Sequence, residues 1–118
     1  MRPLKFRTWH PQGGMSNPFT IDDIIEAACC KHYPKYPRKE YITMQYTGLK
    51  DKNGVEIYEG DIVKFLSYDV SVLITSEVFF DDGGFSVKDG VDYKPYLGVV
   101  GETEIIGNIY ENPELVDK

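Results

Sequence analysis

Four carboxylates stand in pairs that could share acid–base work or hold a divalent metal: Glu59 and Asp61 in YEGD, and Asp81 and Asp82 in FDDGG. All four sit beside glycines at strand ends, where acidic residues serve turns. No nucleophile or basic partner lies near them in sequence, so the chain reads as non-enzymatic, with no catalytic residue. As framework residues, Glu59 and Asp61 are expected at exposed turns. Asp51, Asn53 and Glu56 in DKNGVE superficially match a calcium loop, but Gly54 arrives at the fourth position where such a loop needs it at the sixth. A hairpin turn is the better reading, with Asn53-Gly54 taking positive φ angles. Cys29, Cys30 and His32 could join His10 around a metal. Adjacent helical residues point about 100° apart, however, which denies both cysteines one ion. They read as small helix residues, and no metal is expected. Gly83-Gly84, Gly98 and Gly101 match neither a phosphate-binding loop nor a dinucleotide fingerprint, so no cofactor is expected.

A different chemistry is offered by Arg2, Lys5, Arg7 and Trp9, followed by Tyr33, Lys35, Tyr36, Arg38, Lys39 and Tyr41. Basic groups interleaved with aromatic ones can grip the backbone and stack the bases of a single-stranded nucleic acid. The net charge of −6 opposes strong phosphate binding, which makes nucleic acid the runner-up. The charge is uneven. Residues 1–50 carry eight Lys/Arg against four Asp/Glu, a balance of +4; residues 51–118 carry five against fifteen, a balance of −10. Unlike surfaces of neighbouring subunits could meet through such polarity.

The elements that must position these residues are mostly short strands. LKFRTW (4–9) alternates Leu4, Phe6 and Thr8 with Lys5, Arg7 and Trp9, giving a half-buried strand with a cationic outer face. Residues 10–18 read as loop. FTIDDIIEAACCKHY holds the one helix, 20–32, with Thr20 as N-cap, Asp23 closing an acidic capping box, Phe19 and Ile24 as a hydrophobic staple, and Pro34 as the stop. A Pro- and Lys-rich connector leads to 40. Strands follow at 41–46, 55–58, 62–66, throughout 70–80, at 85–88 and at 103–110, with turns at 51–54, 59–61 and 81–84. Residues 89–103 are ambiguous, and 111–118 form an acidic tail. The pattern predicts a single domain over 1–118, mainly β, with a β core at 41–110. A small barrel or sandwich of short antiparallel strands is expected, an SH3-like barrel among the candidates, with one helix near the N-terminus; α+β is the alternative.

The length of 118 residues suits one domain with a real core. MRPLKFRTWHPQ has charges but no apolar segment behind them and does not read as a signal peptide. No run approaches a membrane span, and Cys29-Cys30 read as free thiols, so a cytoplasmic setting is expected, with no membrane partner. Edge strands of a small β domain need cover, which points to a homo-oligomer or another protein partner.

KFRTWH (5–10), MQYTGLKDKNGVEIYEGDIVKF (44–65), VFFDDGGFSV (78–87) and EIIGNIYENPEL (104–115) resemble, in order and spacing, the YopX family of phage and prophage proteins. The four blocks cover roughly half the chain. The resemblance implies a bacterial or phage origin, a cytoplasmic setting, a mainly β fold and self-association. It implies no enzymatic activity and transfers no site residue.

Overall fold

The computed structural model describes residues 4–23, 40–67, 72–89 and 93–116. Its contact pattern divides the chain into two compact units, Met1–Tyr46 and Thr47–Lys118. The fold is mainly β, as expected, with antiparallel pairing of Lys5–His10 with Gly14–Met15, Phe19–Thr20 and Ile42–Lys50, of Asp61–Leu66 with Leu73–Glu77 and Thr103–Asn108, and of Phe79–Asp81 with Gly84–Ser86, and one short helical segment near the N-terminus.

In the first unit, β1 (Lys5–His10) pairs with β2 (Gly14–Met15), β3 (Phe19–Thr20) and the first part of β4 (Ile42–Lys50). The stretch expected as loop therefore contains β2. His10 explains why it folds back. Its buried ring accepts at Nδ1 from the backbone N–H groups of Gln12 (3.0 Å) and Gly13 (3.1 Å), which fixes the turn between β1 and β2. Residues 21–23 are helical, and the acidic capping box is present. The Thr20 N–H donates to Asp23 Oδ2 at 2.9 Å, and the Asp23 N–H donates to Thr20 Oγ1 at 3.2 Å. The rest of the expected helix, 24–32, and the staple residue Ile24 lie outside the described residues, as does the connector up to 39.

The cationic outer face expected on β1 is corrected by its register. Arg7 stands opposite Met44 and Trp9 opposite Ile42, so Lys5, Arg7 and Trp9 share the face of Met44, which is buried. Lys5 lies over the ring of buried Tyr46, its Nζ 5.6 Å from the centroid. Long basic side chains can lay apolar stems on a core while keeping their heads wet, which alternation alone does not reveal.

The second unit contains the end of β4, then β5 (Glu56–Tyr58), β6 (Asp61–Leu66), β7 (Leu73–Glu77), β8 (Phe79–Asp81), β9 (Gly84–Ser86) and β10 (Thr103–Asn108). Strands β10, β6 and β7 form one sheet in that order, and β8 and β9 form a hairpin. The run 70–80 is not one strand. It breaks at Val78, whose N–H donates to the Asp61 carbonyl while its own carbonyl accepts from the Gly60 N–H, both at 2.8 Å. Val78 then packs fully buried with Ile57, Val63, Phe65, Val87 and Leu97. Burying each such side chain contributes about 1.5–3 kcal/mol. The DDGG turn is a two-residue hairpin loop with Asp82 at φ +49° and Gly83 at φ +79°, the mirror-image turn that suits strand twist. In DKNG only Gly54 has positive φ, at +82°; Asn53 does not, because the Asp51 carboxylate takes its N–H and holds the turn in another form.

Near the chain end, β10 bulges between Ile105 and Gly107. The Asn108 carbonyl accepts from the Asn112 N–H at 2.8 Å, folding Asn112 back over Gly107. A Cβ on Gly107 would lie 2.6 Å from Asn112 Oδ1 and 3.0 Å from its Cβ. Gly107→Ala is therefore expected to cost about 1–3 kcal/mol in urea unfolding, as overpacking does. Adding Asn112→Gly should restore part of it; a G107A midpoint equal to wild type would show that the close approach is unimportant.

Candidate functional site

Two of the carboxylates that could have done chemistry, Asp51 and Asp61, are occupied by backbone N–H groups. Asp51 is buried at 7% exposure, and its Oδ1 accepts the N–H groups of Asn53 and Val55, each at 2.9 Å. Its Oδ2 accepts the N–H of Ile105, far away on β10, at 3.1 Å. Burial pushes this carboxyl up, but the N–H donors of Ile105, Val55 and Asn53, with Lys52 beside them, outweigh burial and hold it below the ordinary carboxylate value. Such a group is a structural anion, three of whose roughly four acceptor sites are taken by backbone N–H groups. Asp61 is 2% exposed, which corrects the expectation of an exposed turn. Its Oδ2 accepts the Tyr58 N–H at 2.8 Å and closes the YEGD turn from inside. Glu59 is partly buried in that turn.

His10 uses both ring nitrogens. Besides the two N–H groups at Nδ1, Nε2 lies 2.9 Å from Glu40 Oε1, and Tyr41 packs against the ring at 5.1 Å. A metal would have to displace these partners. Cys29, Cys30 and His32 lie outside the described residues. Among the described residues, no three His, Cys, Asp or Glu groups are placed to hold a metal. Of the ten basic and aromatic candidates, Lys5, Arg7, Trp9 and Tyr41 are described, in the first unit. Arg2, Tyr33, Lys35, Tyr36, Arg38 and Lys39 lie outside the described residues.

What the second unit leaves open is of another kind. Leu66 on β6 pairs directly with Leu73 on β7, and they are 53% and 65% exposed; Val99 is 67% exposed. Leu66, Tyr93, Pro95, Val99 and Val100 line a small hollow of about 70 Å³ with Asp89 at its edge. The Asp89 carboxylate accepts the Ser67 hydroxyl at 2.8 Å. A second, open hollow of about 390 Å³ is lined by Asp81, Asp82, Ser86, Lys94 and Tyr96.

Over residues 5–117 the sequence matches the family described as YopX protein. The chain belongs to the YopX family. Among solved structures it is similar to protein EF1440 from Enterococcus faecalis, at 25% identity over 97% of this chain and 98% of that one, with a TM-score of 0.60. It is similar in fold to protein yopX from Bacillus subtilis, at 23% identity over 99% and 100% of the two chains, with a TM-score of 0.62. No curated protein matches the chain.

Two of the four blocks that carried the YopX resemblance, 44–65 and 104–115, contain the interlocked turns around Asp51, Gly60, Asp61 and Asn108, while 5–10 is β1 and 78–87 holds the β8–β9 hairpin. Of the residues around the hollows, Asp81 and Asp82 stood out in sequence as a pair, whereas Tyr93, Lys94, Pro95, Tyr96, Val99 and Val100 escaped because they lie in 89–103, where no periodicity exists. One signal was available. The Asp82-Gly83 turn needs a single glycine, yet Gly84 follows, and a Cβ there would meet the Tyr96 ring at 2.6 Å.

Asp51 also sets a pH dependence. Its folded value is depressed, so its contribution is complete above the unfolded value, about 3.9, and disappears as pH falls through the lower folded value. Asp51→Asn places an amide donor against backbone donors and should cost about 1–3 kcal/mol near neutral pH. Urea midpoints measured from neutral to strongly acidic pH should show the gap between wild type and D51N narrowing below about pH 4. A gap that stays constant would mean that the charge contributes nothing.

Proposed function

We propose that this YopX-family protein is a non-enzymatic interaction module, an accessory protein of a phage or prophage that works in the cytoplasm of its bacterial host. The observation that carries the reading is the Leu66–Leu73 pair. Two large apolar side chains stand opposite each other on neighbouring strands, both more than half exposed, beside a hollow whose wall includes Val99. A contiguous apolar surface of this kind marks a contact site for another polypeptide, a second copy of the chain included. β7 is the last strand of its sheet, an edge that a partner can cover. Supporting this, buried Asp51 and Asp61 serve backbone N–H groups, which leaves the YEGD and DKNG turns as framework. No described helix is long and apolar enough to cross a membrane. Single-stranded nucleic acid has weaker support, because Lys5, Arg7 and Trp9 share the face of buried Met44.

The test is the double variant Leu66→Ser/Leu73→Ser. Both side chains are exposed, so the thermal midpoint should stay close to that of wild type, within about 0.5 kcal/mol per site. Wild type is expected to exceed monomer mass by light scattering or to retain a polypeptide in affinity capture from host cells, and the variant to do neither. Identical behaviour of the two proteins, or turnover abolished by Asp61→Asn in an activity screen, would overturn the reading.

A further inference from the structure

The open hollow at the β8–β9 hairpin has a built interior. Phe79 pairs with Ser86 and Asp81 with Gly84, while Ser86 forms a bridge with Tyr96. Residues opposite one another share a face, so Asp81, Ser86 and Tyr96 are on one side, with the vacant position of Gly84 between them. The Tyr96 ring fills that vacancy, and its hydroxyl donates to the Asp82 carbonyl at 2.9 Å. The ring is thus held in place along one wall.

Three acceptors in this hollow are unengaged. Ser86 is 2% exposed and lines it, yet among the described residues its hydroxyl has no hydrogen-bond partner. The carboxylates of Asp81 and Asp82 likewise have no hydrogen-bond or ion-pair partner among the described residues, and Lys94 at the rim pairs with neither. Acceptors beside an aromatic face suit an organic cation. Two carboxylates are too few for a metal site among the described residues. A guanidinium fits better than an ammonium. Its five N–H donors spread in a plane that can stack on Tyr96 while reaching separate acceptors, and it is less strongly hydrated.

The segment 93–96 indicates what presents that cation. Tyr93 and Pro95 line the apolar hollow, whereas Lys94 and Tyr96 line the polar one. Tyr96 is extended, and alternate side chains of an extended segment point to opposite sides. One short wall therefore separates a site for an apolar group from a site for a cation. The unit carrying both has six Lys against fifteen Asp/Glu, a balance of −9 over 47–118, and such a field attracts a basic chain.

We propose that this hollow receives an arginine side chain from a polypeptide partner, which sets an apolar residue into the hollow across the 93–96 wall. The proposal rests on the interaction reading above and names its specificity. The test is a titration of the isotope-labelled full chain, followed by amide resonances. The probes are a blocked peptide with one arginine and one leucine, the same peptide with lysine, and agmatine. Saturable shifts at 81–86 and 94–100 are expected for the arginine peptide. Asp81→Asn/Asp82→Asn should weaken it at least tenfold and Tyr96→Leu several-fold, with thermal melts confirming that the variants fold. Shifts that do not saturate, or that survive D81N/D82N, would overturn the site. Equal binding of the lysine peptide would overturn the choice of guanidinium, and equal binding of agmatine would overturn a polypeptide source. Leu66 also lines the apolar hollow, whereas Leu73 lines neither, so Leu73→Ser alone tests the interaction reading separately from the arginine site.

Discussion

The second unit depends on one buried charge. Asp51 takes three backbone N–H groups, two from its own turn and one from Ile105, fifty-four positions along the chain. Charge-assisted bonds of this kind are about twice as strong as neutral ones, and removing the anion would leave three donors facing nothing. Beside it the Lys52 N–H donates to the Thr103 carbonyl at 2.8 Å, so the turn and the last strand are fastened at two points. The YEGD turn repeats the device. The Gly60 carbonyl accepts from the Ile109 N–H, and the Gly60 N–H and the Asp61 carbonyl join Val78. The KDKNG, YEGD and GNIYEN stretches are parts of one hydrogen-bonded interlock.

That interlock bears on how YopX membership should be understood. A polar motif with glycines and carboxylates suggests catalysis or metal binding when seen as text. Here two of its carboxylates, Asp51 and Asp61, are spent on the backbone, and its asparagines cap turns. Asn108 alone accepts the N–H groups of Tyr110 and Glu111 and donates to the Glu111 carboxylate. The interlocked turns secure a scaffold, and the residues that face the two hollows lie outside those turns, on the β6–β7 edge, on the β8–β9 hairpin and around the 93–96 wall.

Charge follows the same division of labour. The first unit carries seven Lys/Arg against four Asp/Glu, a balance of +3, and the second a balance of −9. A boundary drawn from contacts thus falls almost where the sequence changes sign. In the first unit part of the positive charge lies against aromatic surface, as Lys5 does on Tyr46. In the second, Asp81 and Asp82 remain open to a cation.

Local rules were legible in the sequence where neighbours along the chain supply the partner. The Thr20–Asp23 capping box, the Asp82-Gly83 turn, the start of β1 and the β-branched β7 are all read from a few adjacent residues, because their hydrogen bonds close within a turn or alternate within a strand. The tertiary structure alone decided the rest. It placed Lys5, Arg7 and Trp9 on the half-buried face of β1, since register with β4 selects the face and register is a long-range property. It broke 70–80 at Val78, because the Gly60–Asp61 turn offers that residue a better pair of hydrogen bonds than a continuing strand would. It also buried Asp51 and Asp61 and left Ser86 unengaged. A carboxylate in a turn looks the same in sequence whether its acceptors are spent on a strand fifty residues away or left for a ligand.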